Sequence, residues 1–265
     1  MTGTSDSTDS TPPLGVVGVV GVVGAGQMGV GVAACFARAG HPVTVVDPSA
    51  DARTSAPKRL RQGLRHAMLS GGEKVDLAAV AARVRWTDEL DALGAATFVV
   101  ECAVERQPVK EDLFRRLGRL CPPGTILASC TSAIPIASLA AVTGHQDRVL
   151  GTHFMNPAPA KPAVEVVRAE TTSEETLRRT TDLLVSLGKS PIVVSDGPGF
   201  VTNRVLMLTV NEAATVVHQG TASPATVDRI FRDCFGHPTG PLATADLIGL
   251  DTIVDTLNVL HEHTS

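Results

Sequence analysis

Residues 19–29 read Val-Val-Gly-Val-Val-Gly-Ala-Gly-Gln-Met-Gly, and this stretch decides the fold. Its valine-rich half, residues 19–23, predicts a short strand that is buried on both faces, as strands in parallel sheets are. The half that follows, residues 24–29, is a G-x-G-x-x-G motif at the start of a helix that we predict over residues 26–39. Strand, glycine turn and helix in this order are the first elements of a dinucleotide-binding fold.

The glycine motif supplies a first set of candidate cofactor-binding residues: Gly24, Ala25, Gly26, Gln27, Met28 and Gly29. In such motifs the first glycine allows a tight turn, and the second lets a pyrophosphate approach the backbone. The third glycine lets the helix pack closely on the strand, and the helix N-terminus then attracts the phosphates. A glycine-rich turn without a ligand is the alternative interpretation.

Asp47 adds a second observation that points to a dinucleotide. It ends another predicted strand, residues 43–46, and follows Gly26 by 21 residues. A carboxylate there accepts hydrogen bonds from both ribose hydroxyls and repels a 2′-phosphate. We therefore predict that Asp47 binds the cofactor and that the cofactor is NAD rather than NADP; a loop aspartate without this role is the alternative.

Strand and helix patterns alternate as far as residue 196. Further strands are predicted over residues 97–100, 125–128, 148–152, 164–167 and 191–194, and further helices over 56–69, 109–120 and 173–187. Such alternation predicts an α/β fold with a Rossmann-like, mostly parallel sheet.

The alternation ends at the Pro/Gly-rich residues 196–199. Beyond them only helical patterns follow, over residues 200–219, 223–234 and 242–262. We predict a disordered leader over residues 1–13, an NAD-binding domain over 14–196 and a small all-α domain over 197–265.

Composition excludes several classes of protein. A net charge of −4 over 265 residues gives no general attraction to nucleic acid or to anionic membranes, and 3% aromatic residues leave few surfaces for stacking bases. Five cysteines without CxxC spacing predict neither a disulfide framework nor a zinc site, and we expect no metal. The acidic, Ser/Thr-rich start is unlike a targeting peptide, and the apolar residues 14–25 are too few to span a bilayer, so a cytoplasmic location is predicted.

Several blocks of sequence resemble the 3-hydroxyacyl-CoA dehydrogenase family, including its 3-hydroxybutyryl-CoA members. In chain order they are VVGAGQMG, VVECAVERQPVK, ASCTSAIPI, RVLGTHFMNPAP with VEVV, DGPGFVTNR and GHPTGPLATADLIGLDT. The resemblance runs from about residue 17 to the end. It implies that NAD oxidises the 3-hydroxyl group of a short-chain 3-hydroxyacyl thioester to the 3-oxo group.

The resemblance also implies which residues do the chemistry. Oxidation of a secondary alcohol needs a base for the hydroxyl proton while hydride goes to the cofactor, and the family positions assign His153 as base and Glu165 as its orienting carboxylate. We expect His153 just past the end of a strand and Glu165 on the neighbouring strand. The family match gives Ser132 a hydrogen bond to the substrate oxygen and places Asn203 in the site from the first helix of the second domain.

Each of these residues has a structural alternative: a buried histidine, a helix N-cap at Ser132 and a helix-start amide at Asn203. By the same resemblance Asn156 shapes the nicotinamide pocket, and Glu105 and Lys110 line the NAD site. An exposed ion pair is the alternative for these two.

Some features depart from the family pattern. Cys130 stands where the family usually has asparagine. The family's CoA contacts do not transfer residue by residue, although a basic patch suits a phosphate-bearing carrier or a solvated helix face; it comprises Lys58, Arg59, Arg61 and Arg65. Family members usually continue past the last residue here, so we expect a C-terminal domain that is truncated relative to the family.

These departures leave other functions open. Residues 131–136, 153–159 and 211–220 resemble a branch that oxidises glyceryl-acyl carrier protein for polyketide extender units, which makes a carrier protein the alternative partner to acyl-CoA. A non-catalytic, crystallin-like relative is a further alternative. A 3-hydroxyisobutyrate-type dehydrogenase would need a lysine that residues 199–203 lack.

The family's second domain forms a homodimer, which the resemblance predicts here as well. Candidate interface residues are Val205, Leu206, Met207 and Val210, with core packing as the alternative.

Overall fold

In a computed structural model of the chain, residues 18–264 are described; the predicted leader, residues 1–13, lies outside them. Within this range eight strands form: β1 (Val19–Val23), β2 (Val43–Val46), β3 (Val84–Thr87), β4 (Ala96–Glu101), β5 (Ile126–Ser129), β6 (Val149–Phe154), β7 (Ala163–Arg168) and β8 (Ser190–Ser195). The same range contains ten α-helices: α1 (Gln27–Arg38), α2 (Ala50–Leu69), α3 (Leu77–Ala82), α4 (Gln107–Leu120), α5 (Ile136–Ala141), α6 (Glu174–Ser186), α7 (Thr202–His218), α8 (Pro224–Phe235), α9 (Pro241–Ile248) and α10 (Leu250–Thr264).

The strands form one sheet in the order β3-β2-β1-β4-β5-β6-β7-β8. All neighbours are parallel except β6 and β7, which are antiparallel. The chain leaves β1 toward β2 on one side and returns to pair β4 on the other, so the carboxyl ends of β1 and β4 border the crevice in which open α/β sheets bind ligands. This arrangement, followed by helices alone in the described residues after 195, confirms the predicted fold class.

Helices cover both faces of the sheet. On one face α1, α2 and α6 bury an apolar core against the strands, with Phe36, Leu60 and Leu184 among its members. On the other face α4 and α5 do the same, with Phe114 and Ile136 fully buried. Alternate residues of each central strand enter opposite cores, which explains why these strands read as continuous apolar runs.

The helices after residue 200 enclose a small core of their own, comprising Met207, Val210, Ala245, Ile253 and Leu260. The prediction that Met207 and Val210 belong to a dimer interface is therefore wrong, because both side chains are buried inside one chain. Leu206 packs partly against the same core, whereas Val205 is 61% exposed.

Some elements differ from the sequence prediction. The edge strand β3 is not among the predicted strands: Val84, Arg85, Trp86 and Thr87 alternate apolar and polar residues as a half-buried strand does, but four residues are too few for the pattern to be distinct. The helices α3 and α5 are also not among the predicted helices, because each has six residues and is too short to show a helical period. The single helix predicted over 242–262 is two, α9 and α10, because Gly249 has a φ of 99°.

Among residues 18–264, no helix combines the length and the apolar character needed to cross a membrane.

Candidate active site

The glycine turn between β1 and α1 has the geometry that a pyrophosphate requires. Gly24 has a φ of 104°, and a Cβ atom on it would lie 2.6 Å from the carbonyl oxygen of Cys102. A Cβ on Gly29 would lie 1.9 Å from the carbonyl oxygen of Gly24, so helix and turn touch there. A Cβ on Gly26 would meet no atom within 4 Å. Protein packing therefore explains the first and third glycines, and open space above the second fits an approaching phosphate.

The N-terminus of α1 faces this space without a competing side chain. Its N-cap is Gly26, no side chain caps it, and its first turn contains no acidic residue. The helix dipole therefore favours an anion at this point. Gln27 extends from the first turn, and its Nε2 donates a hydrogen bond of 3.2 Å to Oδ1 of Asn156, which follows β6. Ala25 is buried and Met28 packs partly on the core, so both contribute backbone rather than side chain.

Asp47 follows β2 and bonds to the turn itself. Its Oδ2 accepts a hydrogen bond of 2.7 Å from the backbone N–H of Ala25, and its Oδ1 accepts one of 2.8 Å from Ser49. These bonds orient a partly exposed carboxylate beside the glycine turn, where a ribose would be bound. The chemistry of this donor and acceptor set fits NAD.

Arg59 does not belong to the predicted basic patch. Its guanidinium donates a hydrogen bond of 2.6 Å to the carbonyl oxygen of Ala25 and another of 3.0 Å to that of Ala52. The side chain thus braces the glycine turn from α2. Lys58, Arg61 and Arg65 remain exposed on the outer face of that helix.

His153 and Glu165 are register partners on the antiparallel strands β6 and β7. The expectation that His153 lies past a strand end is wrong: β6 extends to Phe154 because both strands bury their residues there. Nδ1 of His153 lies 3.0 Å from Oε2 of Glu165, and both residues are buried. The other oxygen, Oε1, accepts hydrogen bonds from the backbone N–H groups of Val201 (2.9 Å) and Thr202 (3.1 Å).

These contacts keep Glu165 ionised. Burial raises the pKa of the Glu165 carboxyl, but the hydrogen bonds from His153, Val201 and Thr202 outweigh burial and leave the pKa below its ordinary value. A carboxylate that is held in the charged form at Nδ1 leaves Nε2 of the imidazole as the nitrogen that is available to another group.

Ser132 occupies that position. Its Oγ lies 3.3 Å from Nε2 of His153, and its carbonyl oxygen accepts a hydrogen bond of 2.8 Å from Nδ2 of Asn203 in the first turn of α7. Ser132 is not a helix N-cap, since α5 is preceded by Pro135. The structure thus brings His153, Glu165, Ser132 and Asn203 into one cluster.

Lys110 forms a buried ion pair that sequence reasoning described incompletely. Its Nζ lies 2.7 Å from Oε1 of Glu101 and 3.3 Å from Oε2 of Glu105, and its side chain is 1% exposed. The exposed-pair alternative is therefore wrong for Lys110. Burial lowers the pKa of this ammonium group, but the two carboxylates outweigh it and raise the pKa.

Glu105 connects this ion pair to the cluster around His153. Its Oε1 accepts hydrogen bonds from the backbone N–H groups of Ser132 (2.9 Å) and Ala133 (3.2 Å), and from the hydroxyl of Thr131. Glu101, which sequence reasoning missed, is fully buried and also accepts a bond of 2.7 Å from the Ser129 hydroxyl. The available signal was an acidic residue directly after three apolar residues, 98–100, at the end of a predicted strand.

The chain is similar to proteins of established families. Residues 19–197 match the family described as 3-hydroxyacyl-CoA dehydrogenase, NAD binding domain, and residues 199–265 match 3-hydroxyacyl-CoA dehydrogenase, C-terminal domain. A probable 3-hydroxybutyryl-CoA dehydrogenase of Bacillus subtilis is 43% identical over 238 residues, which cover 89% of this chain and 83% of that protein. Human mitochondrial hydroxyacyl-coenzyme A dehydrogenase is 35% identical over 244 residues, covering 89% and 78%.

Solved structures that resemble this chain include members of the same family. The crystal structure of (S)-3-hydroxybutyryl-CoA dehydrogenase from Ralstonia eutropha superposes with a TM-score of 0.87 at 38% identity, over 94% of this chain and 88% of that one.

Proposed function

The chain belongs to the 3-hydroxyacyl-CoA dehydrogenase family, and on that premise we propose that it oxidises a short-chain 3-hydroxyacyl-CoA, 3-hydroxybutyryl-CoA in particular. It is an NAD-dependent oxidoreductase. The observation that supports the proposal most is the alignment of Ser132, His153 and Glu165 in hydrogen-bonding order.

The proposed chemistry divides among these residues. NAD, when bound, supplies the hydride acceptor. Nε2 of His153 accepts the proton of the 3-hydroxyl group, and Glu165 stabilises the imidazolium that forms. The Ser132 hydroxyl donates a hydrogen bond to the substrate oxygen, and Asn203 holds the Ser132 backbone in place.

We assign NAD binding to the region up to residue 196. Within it, Asp47 would hold the ribose and the turn over residues 24–29 the pyrophosphate. Asn156 would border the nicotinamide pocket, and the pair of Glu105 and Lys110 would support the loop beside it. A cytoplasmic location remains a prediction.

The thioester carrier is proposed to be CoA. Three exposed cations on α2, Lys58, Arg61 and Arg65, offer charge to its phosphates. The relatives above are named for CoA substrates, and they do not favour the acyl carrier protein alternative or the crystallin-like alternative over this one.

A homodimer through the helical region, residues 197–265, is proposed from an apolar groove between α7 and α8. The groove has a volume of about 740 Å³ and is lined by side chains that include Val205, Leu208 and Ile230, each at least 45% exposed. A second copy of this chain would cover these side chains. Sedimentation of the native chain and of Leu208→Asp tests this: we expect a dimer and a monomer, respectively.

The substrate proposal is tested by NADH formation. We expect turnover of (3S)-hydroxybutyryl-CoA with a kcat/KM above that for glyceryl-acyl carrier protein, and a loss of turnover in the His153→Gln variant. A preference for the carrier-bound substrate would reject the CoA assignment. No turnover of any 3-hydroxyacyl-CoA, in protein that binds NAD by calorimetry, would reject the activity itself.

A further inference from the structure

Two cysteines that are 28 residues apart in sequence meet at the carboxyl edge of the sheet. Cys102 directly follows β4 and Cys130 directly follows β5, and these strands are parallel neighbours whose last register pair is Glu101 with Ser129. The two cysteines are therefore the first residues after this pair on adjacent strands. The backbone N–H of Cys130 donates a hydrogen bond of 2.7 Å to the carbonyl oxygen of Glu101, the residue before Cys102, so the ends of the two strands are held side by side.

Both thiols lie on the same face of the sheet. Side chains alternate along a strand, and Val100 of β4 and Ala128 of β5 enter the core beneath α1. Cys102 and Cys130, two residues later, pack partly against that same core and keep part of their surface exposed. Neighbouring strands are about 4.8 Å apart, and disulfides join residues whose Cα atoms are roughly 4.4–6.8 Å apart.

The two thiols differ in acidity. Their mutual hydrogen bond raises the pKa of Cys102, with burial adding to the effect. The same bond lowers the pKa of Cys130 against the effect of burial, and His153, the backbone N–H of Phe154 and Lys110 lower it further. Cys130 is therefore the thiol that ionises first, and Cys102 keeps its proton.

We propose that Cys102 and Cys130 are a redox modification site that closes to an intramolecular disulfide when hydrogen peroxide reaches it. The Cys130 thiolate attacks one peroxide oxygen, the O–O bond breaks, and Cys130 becomes a sulfenic acid with release of water. Sulfur of Cys102 then displaces the hydroxyl group as a second water, and the S–S bond forms. Two thiols and one peroxide thus give one disulfide and two waters, and a dithiol reductant reverses the reaction.

The disulfide would alter the active site because each cysteine begins a segment that serves it. Cys102 leads to Glu105, and its carbonyl oxygen contacts the glycine turn at Gly24. Cys130 leads through Thr131 to Ser132, whose Oγ lies against His153. A disulfide would draw the first residues of the two segments together and so displace Glu105 and Ser132. Groups in an active site must be placed to within a fraction of an ångström. A displacement of about 1 Å in such a site lowers activity by on the order of 100-fold.

The test uses the full chain with Cys234→Ser, which removes a thiol that is exposed on α8. Hydrogen peroxide is titrated, free thiols are alkylated, and peptides are identified by mass spectrometry without reduction. We expect a peptide in which Cys102 is joined to Cys130, together with a fall in dehydrogenase activity of about tenfold or more that dithiothreitol reverses.

A matched variant identifies the order of the steps. In Cys102→Ala, the Cys130 sulfenic acid has no partner, so we expect a dimedone adduct on Cys130 that the parent protein does not accumulate.

Continued alkylation of both cysteines at peroxide concentrations that oxidise Cys234 of the native chain would overturn the proposal, as would a disulfide between other cysteines. The mass measurement needs neither NAD nor substrate, so its outcome is separate from that of the proposed function.

Discussion

His153 and Glu165 face each other across two antiparallel strands, and Nδ1 of the imidazole lies 3.0 Å from Oε2 of the carboxylate. The pairing depends on the sheet rather than on a loop, because both residues lie within strands whose neighbouring positions are buried. In the proposed role of base, an imidazole oriented by two strands would need little reorganisation before it accepts a proton.

Replacing Glu165 by glutamine isolates the charge of this carboxylate. The amide oxygen can still accept hydrogen bonds from Val201 and Thr202, but the imidazolium loses its counter-charge. We expect kcat to fall on the order of 100-fold or more while NAD binding is retained. Steady-state kinetics measure this against the exposed control Glu174→Gln, and a kcat equal to that of the control would contradict the role.

The same carboxylate predicts a pH dependence of stability. Because the fold lowers the pKa of Glu165, its stabilising effect is fully present above the ordinary carboxyl pKa of about 4.3 and is lost as the pH falls through the lowered value. The difference in unfolding free energy between the native chain and Glu165→Gln should therefore shrink on acidification. Urea denaturation at a series of pH values measures it; a constant difference would show that the charge is not stabilised by the fold.

Ser132→Ala should slow the chemical step without weakening cofactor binding. The hydroxyl contacts His153, whereas the backbone of Ser132 stays fixed by Glu105 and Asn203. We expect kcat to fall on the order of 100-fold. Titration calorimetry should give the native dissociation constant for NAD. Ser186→Ala, on α6, is the control, and weaker NAD binding with an unchanged kcat would reject the assignment.

Lys110→Met leaves the Glu101 carboxylate fully buried without its partner. An uncompensated buried charge of this kind costs about 3–5 kcal/mol of unfolding free energy. Urea denaturation measures the loss, with the exposed Lys161→Met as control. The double variant Glu101→Gln/Lys110→Met should recover part of it, and no recovery would indicate that packing rather than charge dominates.

Asp47→Asn should weaken NAD binding and relax the selection against NADP. The substitution keeps one oxygen for the backbone N–H groups but removes the charge beside the turn. We expect the affinity for NAD to fall on the order of tenfold and the kcat/KM ratio of NADP to NAD to rise. Asp51→Asn, exposed in the next helix, is the control; an unchanged ratio would place the ribose elsewhere.

Local patterns predicted the parts of the fold that depend on neighbours in sequence. The strand over residues 19–23, the glycine turn and the strand over 43–46 lie where their apolar runs and glycines place them. The edge strand β3 alternates apolar and polar residues, but its four residues are too few to distinguish this pattern from the surrounding chain. The break between α9 and α10 at Gly249 depends on a positive φ, which a single glycine in the sequence does not predict.

The site was less accessible from sequence because its contacts span distant segments. The resemblance indicated Ser132, His153, Glu165 and Asn203, but not that Asn203 binds the Ser132 carbonyl. Nothing in the spacing of Glu101 and Lys110 revealed a buried pair. The contact between Cys102 and Cys130 follows only from the register of β4 and β5, which no local pattern specifies.

The second oxygen of Glu165 links the sheet to the helical region. It accepts the backbone N–H groups of Val201 and Thr202 at the point where the chain enters α7, while the first oxygen orients His153. The carboxylate thus ties β7 to the start of α7. In the proposed mechanism, a displacement of α7 that breaks these bonds would loosen the same side chain that orients His153, so the position of the helical region and the orientation of the proposed base depend on one carboxylate.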